Sequence, residues 1–257
     1  MTAANSGEER RAELVSALAR FRARLVGACA DAGRDPHAVT LVAVTKGFPT
    51  ADVATLVALG LRDIGENRDQ EARAKAAELA AVLFATNRSA NESPVAEPPP
   101  AGVRWHFIGQ LQSNKCRSVA RYAHSVHSVD RVALATALAD AAGRLGRRIA
   151  VFCQVSLDGD PARGGILPSE LPRLADAVAA RAELELAGVM AVAPQQVDSD
   201  TAFAQLADLS EVIRKDHPNA SGISAGMSGD LEVAIRHGAT HVRVGSALLG
   251  HRRVDLG

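Results

Sequence analysis

The chain has 257 residues, of which 47% are hydrophobic, 23% are charged and 3% are aromatic. Its 29 basic and 29 acidic residues balance to a formal net charge of +0, which argues against a nucleic-acid-binding protein. Three cysteines without a C-x-x-C spacing argue against a disulfide framework and a zinc site. The polar start and the absence of a long apolar run indicate neither a signal peptide nor a membrane span. We therefore expect a cytoplasmic protein.

The first predicted element is a helix near the N-terminus. Leucine and phenylalanine recur there at spacings of three and four residues, which is typical of a helix with one buried face. These positions are Leu14, Leu18, Phe21 and Leu25. Gly33 follows where a helix C-cap is expected, so we predict that the helix ends there.

From residue 40 onward, short apolar runs alternate with helical patterns. We predict strands at residues 40–45, 63–67, 104–110, 125–128, 149–156, 186–193, 223–228 and 241–247. We predict helices at residues 50–60, 69–84, 114–120, 130–145, 169–181, 201–215 and 230–237. This alternation implies a parallel sheet, and eight strands predict an α/β fold, a single (β/α)8 TIM barrel with an extra N-terminal helix. A G-x-G-x-x-G motif, typical of open dinucleotide-binding sheets, does not follow the first strand.

One segment interrupts the alternation. Residues 87–102 contain four prolines among serine, asparagine and glutamate. This composition predicts a flexible Pro- and Ser-rich surface insertion rather than a linker between domains. We therefore assign residues 1–257 to one domain that carries an insertion at 87–102.

Lys46 is the first candidate functional residue. Reactive groups of a (β/α)8 barrel gather at the carboxyl ends of its strands, and Lys46 directly follows the apolar first strand. There we expect the amine to point into the barrel mouth. Partial desolvation would favour the neutral amine, the form that attacks a carbonyl to give a Schiff base. A solvated lysine at a turn is the alternative.

Loops rich in glycine and serine follow the last two predicted strands. They read ISAGMSG at residues 223–229 and RVGS at residues 243–246. Such loops expose backbone N–H groups, and the helix predicted from residue 230 adds the positive end of its dipole. Barrels commonly bind phosphate at this place, so we expect a phosphate site rather than ordinary turns.

Several sequence blocks together resemble a known family. They are AVTK at 43–46, GEN at 65–67, WHFIGQLQSNK at 105–115, GMS at 226–228 and VRVGS at 242–246. With these blocks the chain resembles the pyridoxal phosphate homeostasis proteins, whose barrel is of the alanine racemase N-terminal domain type. The resemblance implies a barrel that binds pyridoxal 5′-phosphate (PLP), with Lys46 holding the cofactor as an aldimine.

The same resemblance implies roles for further residues. Ser224, Ser228, Gly245 and Ser246 would hold the phosphate, and Arg243 would face the pyridine nitrogen. Asn67 would line the site. The predicted cofactor-binding set is Lys46, Asn67, Ser224, Met227, Ser228, Arg243, Gly245 and Ser246. We predict no metal site and no catalytic residue.

Arg243 favours a binding protein over an enzyme. An arginine only donates hydrogen bonds and stays cationic, so it leaves the pyridine nitrogen unprotonated and weakens the electron sink of the cofactor. Alanine racemase supplies an opposing base from a second domain. This chain ends soon after its eighth strand, and its only tyrosine, Tyr122, lies outside the strand ends. We therefore predict storage, delivery or control of free PLP by a monomer, without significant turnover and with PLP-dependent apoenzymes as candidate recipients.

Three alternatives stay open. A PLP-dependent amino-acid racemase would show turnover that requires Lys46. A serine hydrolase would use Ser224, because GISAG at 222–226 fits G-x-S-x-G and Asp230 and His237 follow in the expected order. A module for protein interaction would leave Lys46 unexplained.

The histidines receive a structural interpretation. His124 and His127 are three residues apart, so in a strand they face opposite sides and do not form a metal pair. His106 is predicted to pack within its strand.

Overall fold

The computed structural model describes residues 3–90, 102–160 and 163–250, without the side chains of residues 3–6 and 84–90. Eight parallel strands form a closed barrel in chain order. The strands are β1 (Thr40–Val44), β2 (Asp63–Glu66), β3 (Arg104–Phe107), β4 (Ala123–Val129), β5 (Ile149–Gln154), β6 (Leu184–Met190), β7 (Gly222–Ser224) and β8 (His241–Val244). The helices are α1 (Ala3–Asp31), α2 (Thr50–Ala58), α3 (Asp69–Ala90), α4 (Cys116–Val119), α5 (Val132–Gly143), α6 (Leu171–Ala179), α7 (Ser199–Asp216), α8 (Leu231–Arg236) and α9 (Ser246–Leu249). The predicted barrel with an extra N-terminal helix is confirmed.

Helix α1 packs across the place where the barrel closes. Its apolar face is buried as the spacing predicts, and it contacts α2, α8 and α9. The polar side of α1 reaches the loop after β7, because Arg24 pairs with Glu232 at 2.6 Å and donates to the Ser228 carbonyl at 2.7 Å. Gly33, with φ of +63°, follows the end of the helix in the left-handed region that favours glycine. The extra helix therefore supports a candidate phosphate loop.

Closure of the barrel brings the first and last strands together. β1 pairs with β8 on one side, with Ala43 opposite Val244, and with β2 on the other, with Val44 opposite Gly65. The loops that follow these three strands consequently lie side by side on one face of the barrel. Lys46 is thus a neighbour of both the β8 loop and the β2 loop.

The interior of the barrel is partly polar. His127 on β4 contacts Ser224 on β7, so side chains of non-adjacent strands meet inside the barrel. The ring of Phe152 fills the space beside them, 4.3 Å from the His127 ring. Gly222 makes room for that ring, since a Cβ there would lie 2.7 Å from Phe152. The aliphatic core lies instead between the strands and the surrounding helices.

Several predicted boundaries are wrong. β3 and β7 end at Phe107 and Ser224, so the predicted extensions to residues 110 and 228 are loops. Helix α3 runs to Ala90, which places residues 87–90 in a helix and not in the predicted insertion. Residues 85–90 read ATNRSA and contain no glycine or proline to end the helix, since the prolines of this segment begin at Pro94. The rest of that insertion, residues 91–101, lies outside the described residues.

The described part of the chain contains no helix with both the length and the apolar character that a bilayer crossing requires. It also contains no group of three or more His, Cys, Asp or Glu side chains arranged for a metal ion. The three cysteines are free and buried.

Candidate cofactor site

Lys46 lies at the rim of the barrel. It belongs to the turn after β1, two residues beyond Val44, and its side chain is exposed. The expectation of a partly desolvated amine is therefore wrong, because the turn carries the side chain past the end of the strand. The amine is accessible at the carboxyl-terminal face of the barrel.

A buried polar cluster supports the turn that carries Lys46. The hydroxyl of Thr45 donates to Oε1 of Glu66 at 2.6 Å, and Nζ of Lys75 donates to the same oxygen at 2.7 Å. Lys75 also donates to the Thr45 carbonyl and to Glu71, each at 2.6 Å. All three hydrogens of the ammonium thus have acceptors, which holds the backbone before Lys46 in one position.

Burial and hydrogen bonds from Lys75 shift the pKa values of the two carboxyl groups in this cluster. Burial raises the pKa of Glu66, although hydrogen bonds from Lys75 and Thr45 act in the opposite direction. For Glu71 the burial effect is outweighed, and the hydrogen bonds from Lys75 and the Gly47 amide lower its pKa. The second oxygen of Glu66 is inaccessible and has no hydrogen-bond partner among the described residues.

Asn67 follows β2 beside this cluster. Its Oδ1 is inaccessible and forms no hydrogen bond within the described ranges, and the same holds for the hydroxyl of Ser128 on β4. The β3 loop approaches the Asn67 backbone closely at Gly109, where a Cβ would lie 2.1 Å from the Asn67 carbonyl oxygen. Only glycine fits there. Buried polar atoms without a partner are uncommon in folded proteins, so their presence at two strand ends favours a ligand site.

The loops after β7 and β8 bring two hydroxyls together. The Ser246 hydroxyl donates to that of Ser228 at 3.2 Å, and the Ala247 amide points at Ser228 Oγ from 3.4 Å. Gly245 packs against β1, since a Cβ there would lie 3.2 Å from the Val44 carbonyl. Met227 is exposed in the same loop, with its amide bonded to Asp230 at 2.6 Å. Three of the predicted phosphate residues therefore lie together.

Ser224 lies elsewhere, inside the barrel. It is fully buried, and its hydroxyl accepts a hydrogen bond from Nη1 of Arg243 at 2.6 Å. Nη2 of Arg243 donates to the Ala191 carbonyl at 3.0 Å. The structure thus groups Ser224 with the guanidinium and not with the Ser228–Ser246 pair. Burial lowers the pKa of Arg243 to about 10, so the side chain is still cationic at neutral pH.

A line of hydrogen bonds connects Arg243 to the opposite end of the barrel. Nδ1 of His127 lies 2.8 Å from Ser224 Oγ, and Nε2 of His127 lies 3.0 Å from Nδ1 of His106. Nε2 of His106 lies 2.8 Å from Asp63. Ser125 bridges both rings, and Arg104 pairs with Asp63 at the strand start.

The chemistry of Arg243 and Asp63, the two end groups, determines which atom donates in each hydrogen bond of this line. A guanidinium only donates, so the Ser224 hydrogen is free to donate to Nδ1 of His127. His127 then carries its hydrogen on Nε2 and donates towards His106. The carboxylate of Asp63 only accepts, so His106 donates to it from Nε2. Every hydrogen bond therefore points from Arg243 towards Asp63, and hydrogen bonds ordered in one direction polarise one another.

The pKa values agree with this assignment. Burial would raise the pKa of Asp63, but hydrogen bonds from His106 and Arg104 hold it far below its usual value. Full burial, with positive neighbours, lowers the pKa of His127 well below 6.5. Burial lowers the pKa of His241, which also lies inside the barrel, to about 4. His127 and His241 are therefore neutral at neutral pH.

Sequence reasoning identified His106 as a packed strand residue but missed this network. The signal was present, because Ser125 and His127 occupy alternate positions of β4 and so face the same side. That pattern predicts a polar interior. It does not predict that the partner is Ser224, 97 residues further along the chain.

The hydrolase alternative is wrong. Ser224 is buried and bonded to His127, whereas His237 pairs with Asp200 at 3.0 Å. Asp230 accepts from the Met227 amide at the start of α8. The three residues of the predicted triad do not form its hydrogen bonds with one another, so that triad is not assembled in the described structure.

Comparison with known proteins decides the family. Residues 18–253 match the family model described as the N-terminal domain of alanine racemase. The chain is also 46% identical over 256 residues to the pyridoxal phosphate homeostasis protein of Mycobacterium bovis, which covers 96% of this chain and 95% of that protein. The chain belongs to the pyridoxal phosphate homeostasis protein family. The resemblance stated from the sequence blocks is confirmed.

Solved structures agree with the family. A protein of Bifidobacterium adolescentis has a TM-score of 0.83 and 30% identity, covering 93% of this chain and 96% of that one. PipY of Synechococcus elongatus, in a structure with PLP bound, has a TM-score of 0.75 and 32% identity over 92% of this chain and all of PipY (100%).

Proposed function

We propose that this member of the family binds PLP at the carboxyl-terminal face of its barrel and holds, delivers or buffers it. The strand register carries the proposal, because it sets the accessible amine of Lys46 beside the loop that holds Ser246 and Ser228. PLP presents an aldehyde, a phosphate and a pyridine nitrogen. A rim amine, paired hydroxyls and a buried guanidinium are the matching groups. The PLP bound to the homologue PipY supports the same ligand.

Different residues of the chain bind different parts of PLP. Lys46 supplies the amine that attaches the aldehyde carbon, on a turn held by Thr45 and Lys75. Ser228, Ser246 and the amides near Gly245 hold the phosphate, as donors at a helix start do for anions. Arg243 would donate to the pyridine nitrogen of bound PLP.

The remaining predicted residues border this site. Asn67 and Met227 line it, and the unbonded Oδ1 of Asn67 is available for a contact. Ser224 acts through Arg243, since it holds the guanidinium in place and does not reach the hydroxyl pair. We therefore assign Ser224 to positioning and the phosphate to the other three residues.

We further propose that the protein has no significant turnover. When bound, PLP supplies an electron-withdrawing ring, whose power depends on a protonated pyridine nitrogen. Arg243 stays cationic and can only donate, so it keeps that nitrogen unprotonated. Tyr122 is a poor base or acid here, because burial, together with Asp69, strongly raises its pKa. It accordingly holds its proton and donates to Asp69 at 3.4 Å.

The recipients of the cofactor are PLP-dependent apoenzymes in the cytoplasm, and the protein acts as a monomer. Exposure of Lys46 at the rim supports transfer, since an incoming amine reaches the attachment point without opening the barrel. The free thiols of all three cysteines are typical of a reducing compartment.

The test of PLP binding is spectroscopic. Purified protein mixed with PLP should absorb at about 420 nm, as lysine-bound PLP does. Borohydride reduction followed by peptide mapping should place the cofactor on Lys46. Lys46→Ala should abolish both signals, whereas Lys215→Ala, at an exposed lysine of α7, should change neither. Modification mapped to other lysines would refute the assignment, and steady amino-acid racemisation that requires Lys46 would refute the absence of turnover.

A further inference from the structure

A second concave site lies outside the residues assigned to PLP. It opens between the start of α3 and the segment around α4, and its volume is about 460 Å³. Asp69 and Arg73 of α3 form one wall, and Lys115, Arg117, Ser118 and Arg121 form the other. We call it the α3–α4 pocket. Because α3 follows β2 and the α4 segment follows β3, the pocket lies near the carboxyl-terminal face.

The α3–α4 pocket has an excess of positive charge. Arg73, Lys115, Arg117 and Arg121 line it, and none of the four makes an ion pair or hydrogen bond with its side chain in the described parts of the chain. Asp69, the acidic residue of the wall, is turned to the hydroxyl of Tyr122.

This concentration is unusual for the molecule. The net charge of the whole chain is +0, and several arginines elsewhere reach a partner. Arg24, Arg104 and Arg163, for example, are each paired with a carboxylate. Four cationic side chains around one concavity create a positive potential that attracts an anion.

A buried hydroxyl in the wall is a second, independent observation. Oγ of Ser118 is inaccessible and has no hydrogen-bond partner among the residues that the structure describes. Buried polar atoms in native proteins usually find a partner in protein, water or ligand. Ser118 is one of the residues that line the pocket, so an unsatisfied hydroxyl lies within its wall.

We propose that the α3–α4 pocket binds a small phosphorylated anion, of the size of a nucleotide or a sugar phosphate. Guanidinium groups bind phosphate oxygens in pairs, and three arginines with one lysine suit a ligand that carries two or more negative charges. The volume falls within the usual range for small-molecule sites, roughly 300–1,000 Å³. A concave site of this size fits a small ligand better than the surface of an acidic protein.

The experiment is a calorimetric titration with inorganic pyrophosphate. The protein is first loaded with PLP and reduced with borohydride, so that the cofactor phosphate site is filled. We expect one saturable site that weakens as salt is raised. Arg73→Gln combined with Arg117→Gln should weaken binding about tenfold or more, because two charge-assisted contacts are removed. The matched control, Arg144→Gln with Arg173→Gln, removes two exposed and unpaired arginines elsewhere and should change binding less than about twofold.

The outcomes separate this proposal from PLP binding. Absence of saturable pyrophosphate binding, or equal weakening by both double variants, would overturn it while the PLP absorbance stays intact. Binding of poly-glutamate without binding of pyrophosphate would also overturn it, in favour of an acidic protein. If the chain does not take up PLP, the Ser228→Ala, Ser246→Ala variant is titrated instead, and loss of binding there would show that pyrophosphate had occupied the hydroxyl pair.

Discussion

The hydroxyl of Ser224 lies 2.6 Å from Nη1 of Arg243, and both side chains are buried inside the barrel. The guanidinium is therefore held by the strand beside it before any ligand arrives. The sequence analysis predicted the same phosphate-binding role for Ser224 and Ser228. Only Ser224 contacts Arg243, because Ser228, four residues later, belongs to the loop.

Ser224→Ala should destabilise the protein without PLP. Removal of the hydroxyl leaves Nη1 of a buried Arg243 without its acceptor, which costs about 1–3 kcal/mol. Urea unfolding of the PLP-free protein measures this loss. Ser228→Ala is the matched control and should leave the unfolding midpoint unchanged, because that hydroxyl lies in a partly exposed loop. Equal midpoints for the two variants would contradict the buried role of Ser224.

Ser228→Ala combined with Ser246→Ala should weaken PLP binding by about tenfold or more, since two hydroxyl donors to the phosphate are lost. Absorbance titration gives the dissociation constant. Pyridoxal, which has no phosphate, is the control ligand, and its weaker binding should be the same in variant and wild type. A variant that loses both ligands equally would show that the hydroxyl pair serves the fold.

Asp63→Ala should be the most destabilising of these substitutions. It removes the acceptor of a buried His106 and the partner of Arg104, at a cost of about 3 kcal/mol. Guanidinium-induced unfolding provides the measurement. Asp140→Ala breaks an exposed pair with Arg181 and should change the midpoint little. Similar midpoints for the two variants would mean that the network inside the barrel contributes nothing to stability.

Stability should fall as the solution is made acidic. The pKa of His241 is about 4 in the folded protein and about 6.5 when unfolded, so the unfolded chain binds more protons between these values. The free energy of unfolding is therefore highest above pH 6.5 and decreases as pH falls towards 4, by about 3 kcal/mol from this group. His127 acts in the same direction, and the lowered pKa of Asp63 adds a loss at still lower pH.

Urea unfolding at a series of pH values tests this dependence. His241→Gln should flatten the curve between pH 6.5 and 4, because glutamine does not titrate. An unchanged slope in His241→Gln would show that His241 is not held neutral inside the barrel.

The amino-acid sequence by itself determined the order of the elements and the loops that carry the site. The alternation of apolar runs with helical patterns is local, so eight strands and the placement of Lys46, Asn67 and the two glycine-serine loops followed from it. The motif blocks around these positions also sufficed for the family. Local sequence patterns show which residues of a strand or helix face a core. This information is nearly sufficient to predict a barrel of alternating strands and helices.

Only the tertiary structure decided which of these residues meet. Ser224 and Ser228 lie in the same glycine- and serine-rich segment, yet Ser224 is hydrogen-bonded to Arg243 and Ser228 is hydrogen-bonded to Ser246. Lys46 follows a buried strand, yet the turn leaves it exposed. The line of hydrogen bonds from Asp63 to Arg243 joins five strands. Closure of the barrel directs polar side chains of distant strands into the same interior, and each buried polar group there needs a hydrogen-bond partner. Which partner is nearest depends on strand register and side-chain direction, and these are set by packing across the whole barrel.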